Sequence, residues 1–394
     1  MCRDFPEARH QQGTRVQDGE GRPTVAEVSR AALRHNLREA QRMVGPGVGV
    51  LAVVKADGYG HGAVAAAQAF LEAGAVGLGV SLVAEGCALR AAGITAPVVV
   101  LGGAFPGEEA AVVANDLAVS VWSLERGQAL AAAARAAGRT VDVHLKVNTG
   151  MTRLGVELDG VRALGVALAA LAGLRVTGIF SHFASADAVD TQSAIAQRER
   201  FEAAVRELRA AGVEPEHVHL ANSAAVLSAP EAHGTLVRPG LMLYGYAPAP
   251  HLAARVDLRP AMRLVTRVAQ VRSVPFGTPV GYGGTWTAPR PSRIATLPLG
   301  YADGYHRRAS NRGQMLVRGR RVDLAGRVCM DHVMLDVTAE PDVEAGEPVV
   351  VFGRQGEAAI GADEVAGWFD TIAYEVLTSV GKRVPRITVE DFDG

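Results

Sequence analysis

Residues 51–62 read LAVVKADGYGHG. Leu51 to Val54 is an apolar run rich in β-branched residues, the pattern of a strand buried on both faces of a parallel sheet. Lys55 ends that run, where an ammonium is costly to bury. Asp57-Gly58-Tyr59-Gly60 then reads as a turn, with a helix from about His61. Burial lowers a lysine from its ordinary pKa of about 10.4, and a neutral amine can form a Schiff base with an aldehyde. The plainer reading is a lysine that lays its stem on apolar surface and reaches the rim with its amine. Taken alone, Lys55 favours the plainer reading.

Working outward, strand-like and helix-like stretches alternate eight times from about residue 48. The strand-like runs are 49–55, 75–81, 96–102, 117–123, 141–147, 175–183, 217–223 and 235–245. Alanine-rich stretches such as AVAAAQAFLEAG and RGQALAAAARAAG separate them, each ending in a helix-stopping glycine. Eight βα units in roughly 200 residues favour a (β/α)8 TIM-type barrel over an open doubly wound sheet. No GxGxxG follows the first strand, which weakens the dinucleotide-binding alternative.

From about 256 the texture changes to strand-like runs split by Gly and Pro, with one clear helix near ADEVAGWF. This reads as a mostly β C-terminal domain. The expected organisation is a polar, disordered tail over 1–22, a barrel over 23–255 and a β-rich domain over 256–388. Residues 23–29, PTVAEVS, form a leading strand that can pair with the second domain.

A net charge of -1 gives no support to nucleic-acid or membrane-surface binding. Three cysteines without CxxC spacing indicate neither a zinc site nor a disulfide framework, and no metal site is expected. No apolar run is long enough to span a bilayer, and the N-terminus lacks a signal-peptide pattern. The expected location is cytoplasmic.

A TIM barrel carries its chemistry at the C-terminal ends of its strands. There the sequence places Lys55, the segment Lys146 to Arg153, Ser181-His182, Asn222-Ser223 and Arg238-Pro239-Gly240. Each has an ordinary structural explanation: a core histidine, a helix N-cap, a salt-bridged rim arginine. Their conjunction at one mouth does not. Ser223 at a helix start and Gly240 after strand eight suit the phosphate site that barrels build there. One lysine, one phosphate cradle and one partner for a ring nitrogen are the needs of pyridoxal 5'-phosphate.

At this point the sequence resembles a known family. AVVKADGYGHG is similar to the cofactor-lysine segment of alanine racemase. The resemblance continues through KVNTGMTRLG, SHFASAD, ANSAA, VRPGLMLYG, VGYGGTW, LGYADGYHR, GRVCMDHVMLDV and YEVLTSVGKRVPR, over about residues 25–386. It implies a barrel followed by a β domain, a head-to-tail homodimer with shared active sites, and interconversion of L- and D-alanine that supplies D-alanine for peptidoglycan.

The resemblance also implies roles for individual residues. Lys55 is the Schiff-base lysine and one catalytic base, and Tyr282 is the opposite base, delivered from the partner subunit. Arg153 binds the substrate carboxylate and bonds the tyrosine, and His182 links Tyr282 to Arg238, which faces the pyridine nitrogen. Tyr59, Asn222, Ser223, Gly240, Leu241 and Tyr374 belong to the cofactor and phosphate site. Met330 approaches the substrate, with Cys329 and Asp331 beside it. Tyr301 narrows the entrance with Tyr374, and Asp187, Arg307 and Arg327 lie further out. Lys146 matches a lysine that is carbamylated in some members; the plain alternative is an unmodified amine. Asn148 stands where Asp is common.

A single fixed base cannot easily take a proton from one face of a carbon and return one to the other, so two bases on opposite sides are expected, and both must be shifted down to work near neutrality. Positive charge from Arg153 and Arg238 is expected to do this for Tyr282. An arginine at a ring nitrogen only donates, so it favours an unprotonated ring and a weaker electron sink. This argues against a decarboxylase of the same fold. The remaining alternatives are a broader-specificity racemase acting on serine and a cofactor-binding protein without racemase activity.

Overall fold

The computed structural model describes residues 21–392. The described residues fall into two compact units, one of 33–58 and 63–259, the other of 21–32, 59–62 and 260–392. Residues 1–20, most of the expected tail, lie outside the described residues. Arg22, counted in that tail, instead donates to both carboxylate oxygens of Asp303.

The described residues open on β1 (Val25–Ser29), then run through β2 (Gly49–Val53), β3 (Gly77–Val80), β4 (Val98–Val100), β5 (Ala118–Val121), β6 (Val141–Lys146), β7 (Leu174–Phe180), β8 (His217–His219) and β9 (Leu236–Val237). Strands β2 to β9 form one eight-stranded sheet in the order β8-β7-β6-β5-β4-β3-β2-β9, with every ladder parallel. Thr235 N–H donates to Val218 C=O and Arg238 N–H to Ala221 C=O, both at 2.9 Å, which ties the β9 segment to the β8 segment and closes the ring. This is the TIM-like barrel expected from the eightfold alternation. The strands are apolar because both faces are covered. Val98, Val99 and Val100 are all buried, as are Leu145 and Ile179. Helices cover the outer face with small residues; Ala66, Ala67, Ala69 and Phe70 are the buried side of the helix Ala63–Glu72.

The last strand is shorter than the run 235–245 suggests. It ends at Val237, and Leu241–Tyr244 is a 3-10 turn. Pro239 has no N–H to give a ladder, so the strand cannot continue through it.

In the second unit β10 (Met262–Arg267) pairs antiparallel with β1, in register Val25↔Val265. β1 also pairs in parallel with Arg386–Val389. Residues 23–29 thus sit in the second unit's seven-stranded sheet and not in the barrel. A separate three-stranded sheet joins Gln270–Val274, Ser292–Leu297 and Val333–Asp336. The short ribbon of Pro279–Val280 and Trp286–Thr287 brackets Tyr282. Two helices, Ala362–Phe369 and Ala373–Ser379, follow, where one was expected. Together these elements give the mostly β C-terminal domain.

Candidate active site

Lys55 begins an unusual turn. Ala56 (φ 53, ψ 50), Asp57 (φ 52, ψ 49), Gly58 (φ 61, ψ 44) and Tyr59 (φ 52) are successive left-handed residues, and the following helix starts only at Ala63. Three of the four carry a side chain, and each costs about 1–2 kcal/mol in that conformation. Hydrogen bonds hold the turn against that cost. Gly58 N–H donates to Val54 C=O at 2.9 Å, and Ala63 N–H to Asp57 Oδ1 at 2.9 Å. Glu85 accepts from Ala56 N–H at 2.6 Å with one oxygen, and from Ser81 and Leu82 N–H at 2.8 and 3.0 Å with the other. Glu85 has no N-capping Ser, Thr, Asp or Asn three residues before it, only Leu82, so it carries no helix-start signature in the sequence. Burial, and then the charge of Arg153, push the Lys55 amine below its ordinary value, while Glu85 opposes them. Lys55 is thus biased toward the neutral, nucleophilic form.

Arg238 sits 3% exposed in the barrel. Its Nη1 donates to His219 Nδ1 at 2.9 Å and to His219 C=O at 2.8 Å. Its Nη2 donates to Ser181 C=O at 2.6 Å, and to His182 Nδ1 and Leu220 C=O at 3.3 Å. Every hydrogen bond of this guanidinium to the described residues uses Nη1 or Nη2. Its Nε is left to donate elsewhere. Burial lowers Arg238 to about 9, which still leaves it charged at neutrality. Burial, and then Arg238, hold His182 and His219 well below the usual imidazole range, so both are neutral.

Lys146, Asn148, Arg153, Ser181 and His182 line one small cleft. Lys146 is 7% exposed, with Nζ 4.2 Å from the centroid of the Phe180 ring. Burial, and then Arg238 and Arg153, push its amine well below the lysine range. Arg153 is exposed at the end of a loop that Asn148 shapes. Asn148 Oδ1 accepts from Gly150 and Thr152 N–H at 3.1 and 3.0 Å, while its Nδ2 donates to Glu157 Oε1 at 2.7 Å. An Asp here would have no proton for Glu157, so the local partner accounts for the amide.

Ser223, 4% exposed, opens the helix Ser223–Ser228. Its hydroxyl oxygen accepts from Gly240 N–H at 2.9 Å and from Met242 N–H at 3.4 Å. Asn222 caps this helix through Oδ1 to Ala224 and Ala225 N–H. Leu241 is buried one residue beyond Gly240. The Ser223 oxygen therefore faces the strand-eight loop, and its own O–H is left to donate to an anion bound there.

The other site residues group in the second unit. The rings of Tyr59 and Tyr374 lie 6.1 Å apart. Gly60, at φ +81, leaves the Leu377 carbonyl where a Cβ would be 2.2 Å away, so the chain between them runs close. Tyr282, Tyr301 and Met330 are 69%, 42% and 53% exposed. Tyr301 N–H donates to Cys329 C=O and Ala302 N–H to Met330 C=O, both at 3.0 Å, joining the two segments. Arg327 lies against Gly283, next to Tyr282. Burial raises the Cys329 thiol, with Arg307 opposing. Asp331 is paired with Arg383 at 2.7 Å. Arg307 and Asp187 are exposed. Among the described residues no cluster suits a metal ion, and no helix is long and apolar enough to cross a membrane.

His144, His219, Phe180 and Glu85 all touch this machinery and were passed over in the sequence. The two histidines occur in strand-like runs, VDVHLKV and HVHLANS, whose polarity was the available signal.

Comparison with known proteins supplies the family. The model of the alanine racemase N-terminal domain matches residues 28–248, and that of the C-terminal domain matches 261–388. The alanine racemase of Desulfovibrio desulfuricans is 45% identical over 369 residues, 94% of this chain and 99% of that protein. That of Symbiobacterium thermophilum is 48% identical over 365 residues, 93% of this chain and 97% of the relative. The crystal structure of alanine racemase from the D-cycloserine-producing Streptomyces lavendulae superposes with a TM-score of 0.88 at 39% identity, covering 94% of this chain and 98% of that one. Matched in both domains and along nearly its whole length, this chain belongs to the alanine racemase family.

Proposed function

We propose that this protein is an alanine racemase that interconverts L- and D-alanine with pyridoxal 5'-phosphate, its product serving cell-wall synthesis. The observation that carries the cofactor assignment is the buried Arg238, whose free Nε suits an acceptor-only ring nitrogen. The donor set fits the rest of the group. Lys55 would hold the aldehyde carbon; Ser223, Gly240, Leu241, Tyr59 and Tyr374 would hold the phosphate. When bound, the cofactor supplies the electron sink that makes the α-proton of an amino acid removable.

The chain's own residues then move that proton. Lys55, its amine already pushed toward neutrality, serves one face. The partner subunit's Tyr282 serves the other, within a homodimer of shared sites. The 69% exposure of Tyr282 supports this delivery, since a base built for its own chain's site would be covered. Arg153 orients the substrate carboxylate from the same cleft as His182. Lys146 combines a depressed amine with neighbouring guanidinium charge, which favours a carbamate there.

The test is alanine racemisation followed by circular dichroism, with the visible band of bound cofactor read in parallel. Borohydride should bleach that band and fix the cofactor to the chain only when Lys55 is intact. Tyr282→Phe should keep the band and lose racemisation by roughly 100-fold or more. A fully active Tyr282→Phe protein sinks the two-base assignment. Serine, offered as competitor, reads the side-chain range.

A further inference from the structure

Below the barrel mouth the core is polar where it would ordinarily be aliphatic. His144 Nδ1 and His219 Nε2 are 2.9 Å apart, and His219 Nδ1 is 2.9 Å from Arg238 Nη1. Both imidazoles are buried, at 2% and 0% exposure. The His219 ring stacks on Phe180, with centroids 4.8 Å apart and planes 3° from parallel. Buried polar groups in a barrel core are costly unless every member is satisfied.

Three local features put His144 there. The β6–β7 register shifts between Val143 and His144. Such an irregularity re-aims a side chain. Across from it stands Gly178, where a Cβ would be 2.6 Å from the His144 ring. The ring therefore occupies space that only glycine leaves open. Finally, the ladder continues normally on either side, so only this position is redirected.

The proton positions follow from Arg238 alone. A guanidinium only donates, so His219 Nδ1 must be unprotonated. A neutral His219 then carries its proton on Nε2 and donates to His144. His144 Nδ1 must in turn be unprotonated. The same logic fixes His182, whose Nδ1 faces Arg238 Nη2 at 3.3 Å, with its proton on Nε2. One buried charge thus sets the tautomers of three imidazoles.

We propose that His144 is a positioning residue for the reaction: as the terminal acceptor of the chain Arg238–His219–His144, it locks His219 in the tautomer that accepts from Arg238, and so aims Arg238 Nε at the cofactor's ring nitrogen. The proposal rests on the cofactor reading given above. Burial, followed by neighbouring charge, holds both histidines neutral, as the chain requires. Without an acceptor at 144, His219 either keeps an unbonded Nε2–H or moves its proton to Nδ1, where it meets an Arg238 N–H. Either way the guanidinium loses a fixed support.

The experiment compares His144→Leu with His144→Gln in the holoenzyme, and titrates pyridoxal 5'-phosphate into each apoenzyme. Glutamine keeps an acceptor oxygen; leucine fills the space without one. His144→Leu should bind the cofactor about tenfold more weakly and lower kcat about tenfold, with the alanine KM little changed, whereas His144→Gln should stay within about twofold of the parent. A packing role predicts the reverse order, because leucine suits a barrel core better than glutamine. Equal behaviour of the two variants, or the reverse order, overturns the proposal. Nitrogen NMR of the histidine-labelled parent protein reads the tautomers directly and needs no variant to fold. It should show His219 protonated at Nε2 only; a proton at Nδ1 overturns the proposal. A parent protein that fails to bind the cofactor at all would instead overturn the function reading.

Discussion

Substituting His144 by glutamine should make the protein less sensitive to acid. His144, His182 and His219 are all held below the ordinary imidazole pKa, His144 at about 3, with burial the leading cause in each. Unfolding returns each to an ordinary value of about 6.5. Below that value the unfolded chain binds protons that the folded chain refuses, so stability falls as pH drops; above it the penalty vanishes. For one such group, the change from pH 8 to pH 5.5 is RT ln 11, or about 1.4 kcal/mol. For His144 alone this is a sizeable share of a typical folding free energy of about 5–15 kcal/mol, and His182 and His219, lowered in the same direction, add to it. Carboxylates with depressed values, such as Asp303 and Glu39, lose their contribution at lower pH and do not compete in this window. The assay is urea unfolding of parent and His144→Gln at pH 8 and pH 5.5, at one protein concentration and one cofactor excess. The variant's loss between the two pH values should be smaller by about 1.4 kcal/mol. Equal losses would show that His144 does not sit neutral and buried, and the reasoning about the polar core would fail with it.

Gly155 has φ +128, and a Cβ there would be 2.4 Å from Asn148 N, a backbone atom that cannot step aside. Gly155→Ala should cost about 2–4 kcal/mol in thermal or urea unfolding. Gly138→Ala, at φ +63 with open space around it, should cost only about 1 kcal/mol. Glu85→Gln must turn an amide N–H toward one of the backbone donors that the carboxylate now accepts. We expect a loss of about 2–3 kcal/mol in urea unfolding. The pH profile of cofactor uptake by the apoenzyme should also move to lower pH, because the charge that favours the Lys55 ammonium is gone. An unshifted profile would separate Glu85 from Lys55. Arg238→Glu should protonate the ring nitrogen of bound cofactor and raise the ratio of transamination to racemisation; an unchanged ratio removes Arg238 from control of the electron sink.

Strand-end polarity made much of the barrel and its mouth legible, since residues such as Lys55, Lys146 and His182 have no packing reason to end apolar runs. What stayed hidden depends on backbone geometry that composition does not encode. Gly58 and Gly60 advertise a turn, but nothing in Ala56 announces a left-handed conformation; Glu85, 29 residues away from Ala56, helps to sustain it. His144 points inward only because the ladder shifts beside it and Gly178 makes room. The run 235–245 reads as one strand by hydropathy, yet Pro239 divides it into a strand and a 3-10 turn. β1 is legible as a leading strand able to pair with the second domain, but its partners β10 and Arg386–Val389 lie more than 200 residues away, so the strands it joins and their register are not.

The charge around Phe180 gives a physical reason to expect anions at this mouth. The Lys146 amine lies 4.2 Å and the Arg238 guanidinium 5.1 Å from that ring centroid, while His219 stacks on it. The charges that act on Lys146 and His182 are all positive, coming from Arg238 and Arg153 in both cases and from Lys55 and Lys146 at His182. Nearby carboxylates are committed elsewhere: Glu85 to three backbone N–H groups, Glu157 to Asn148. Neutral imidazoles and an aromatic face soften the repulsion without cancelling it, and burial has already pushed both lysines toward the uncharged form. The remaining guanidinium charge is balanced only when something negative arrives. A phosphate by Ser223, a substrate carboxylate by Arg153 and a carbamate on Lys146 are three anions of different origin that the same imbalance would favour. A preference for an acceptor at Arg238 Nε and for anions around it thus comes from one feature, a set of cations, Lys146 and Arg238 buried among them, whose nearest carboxylates are committed to other donors.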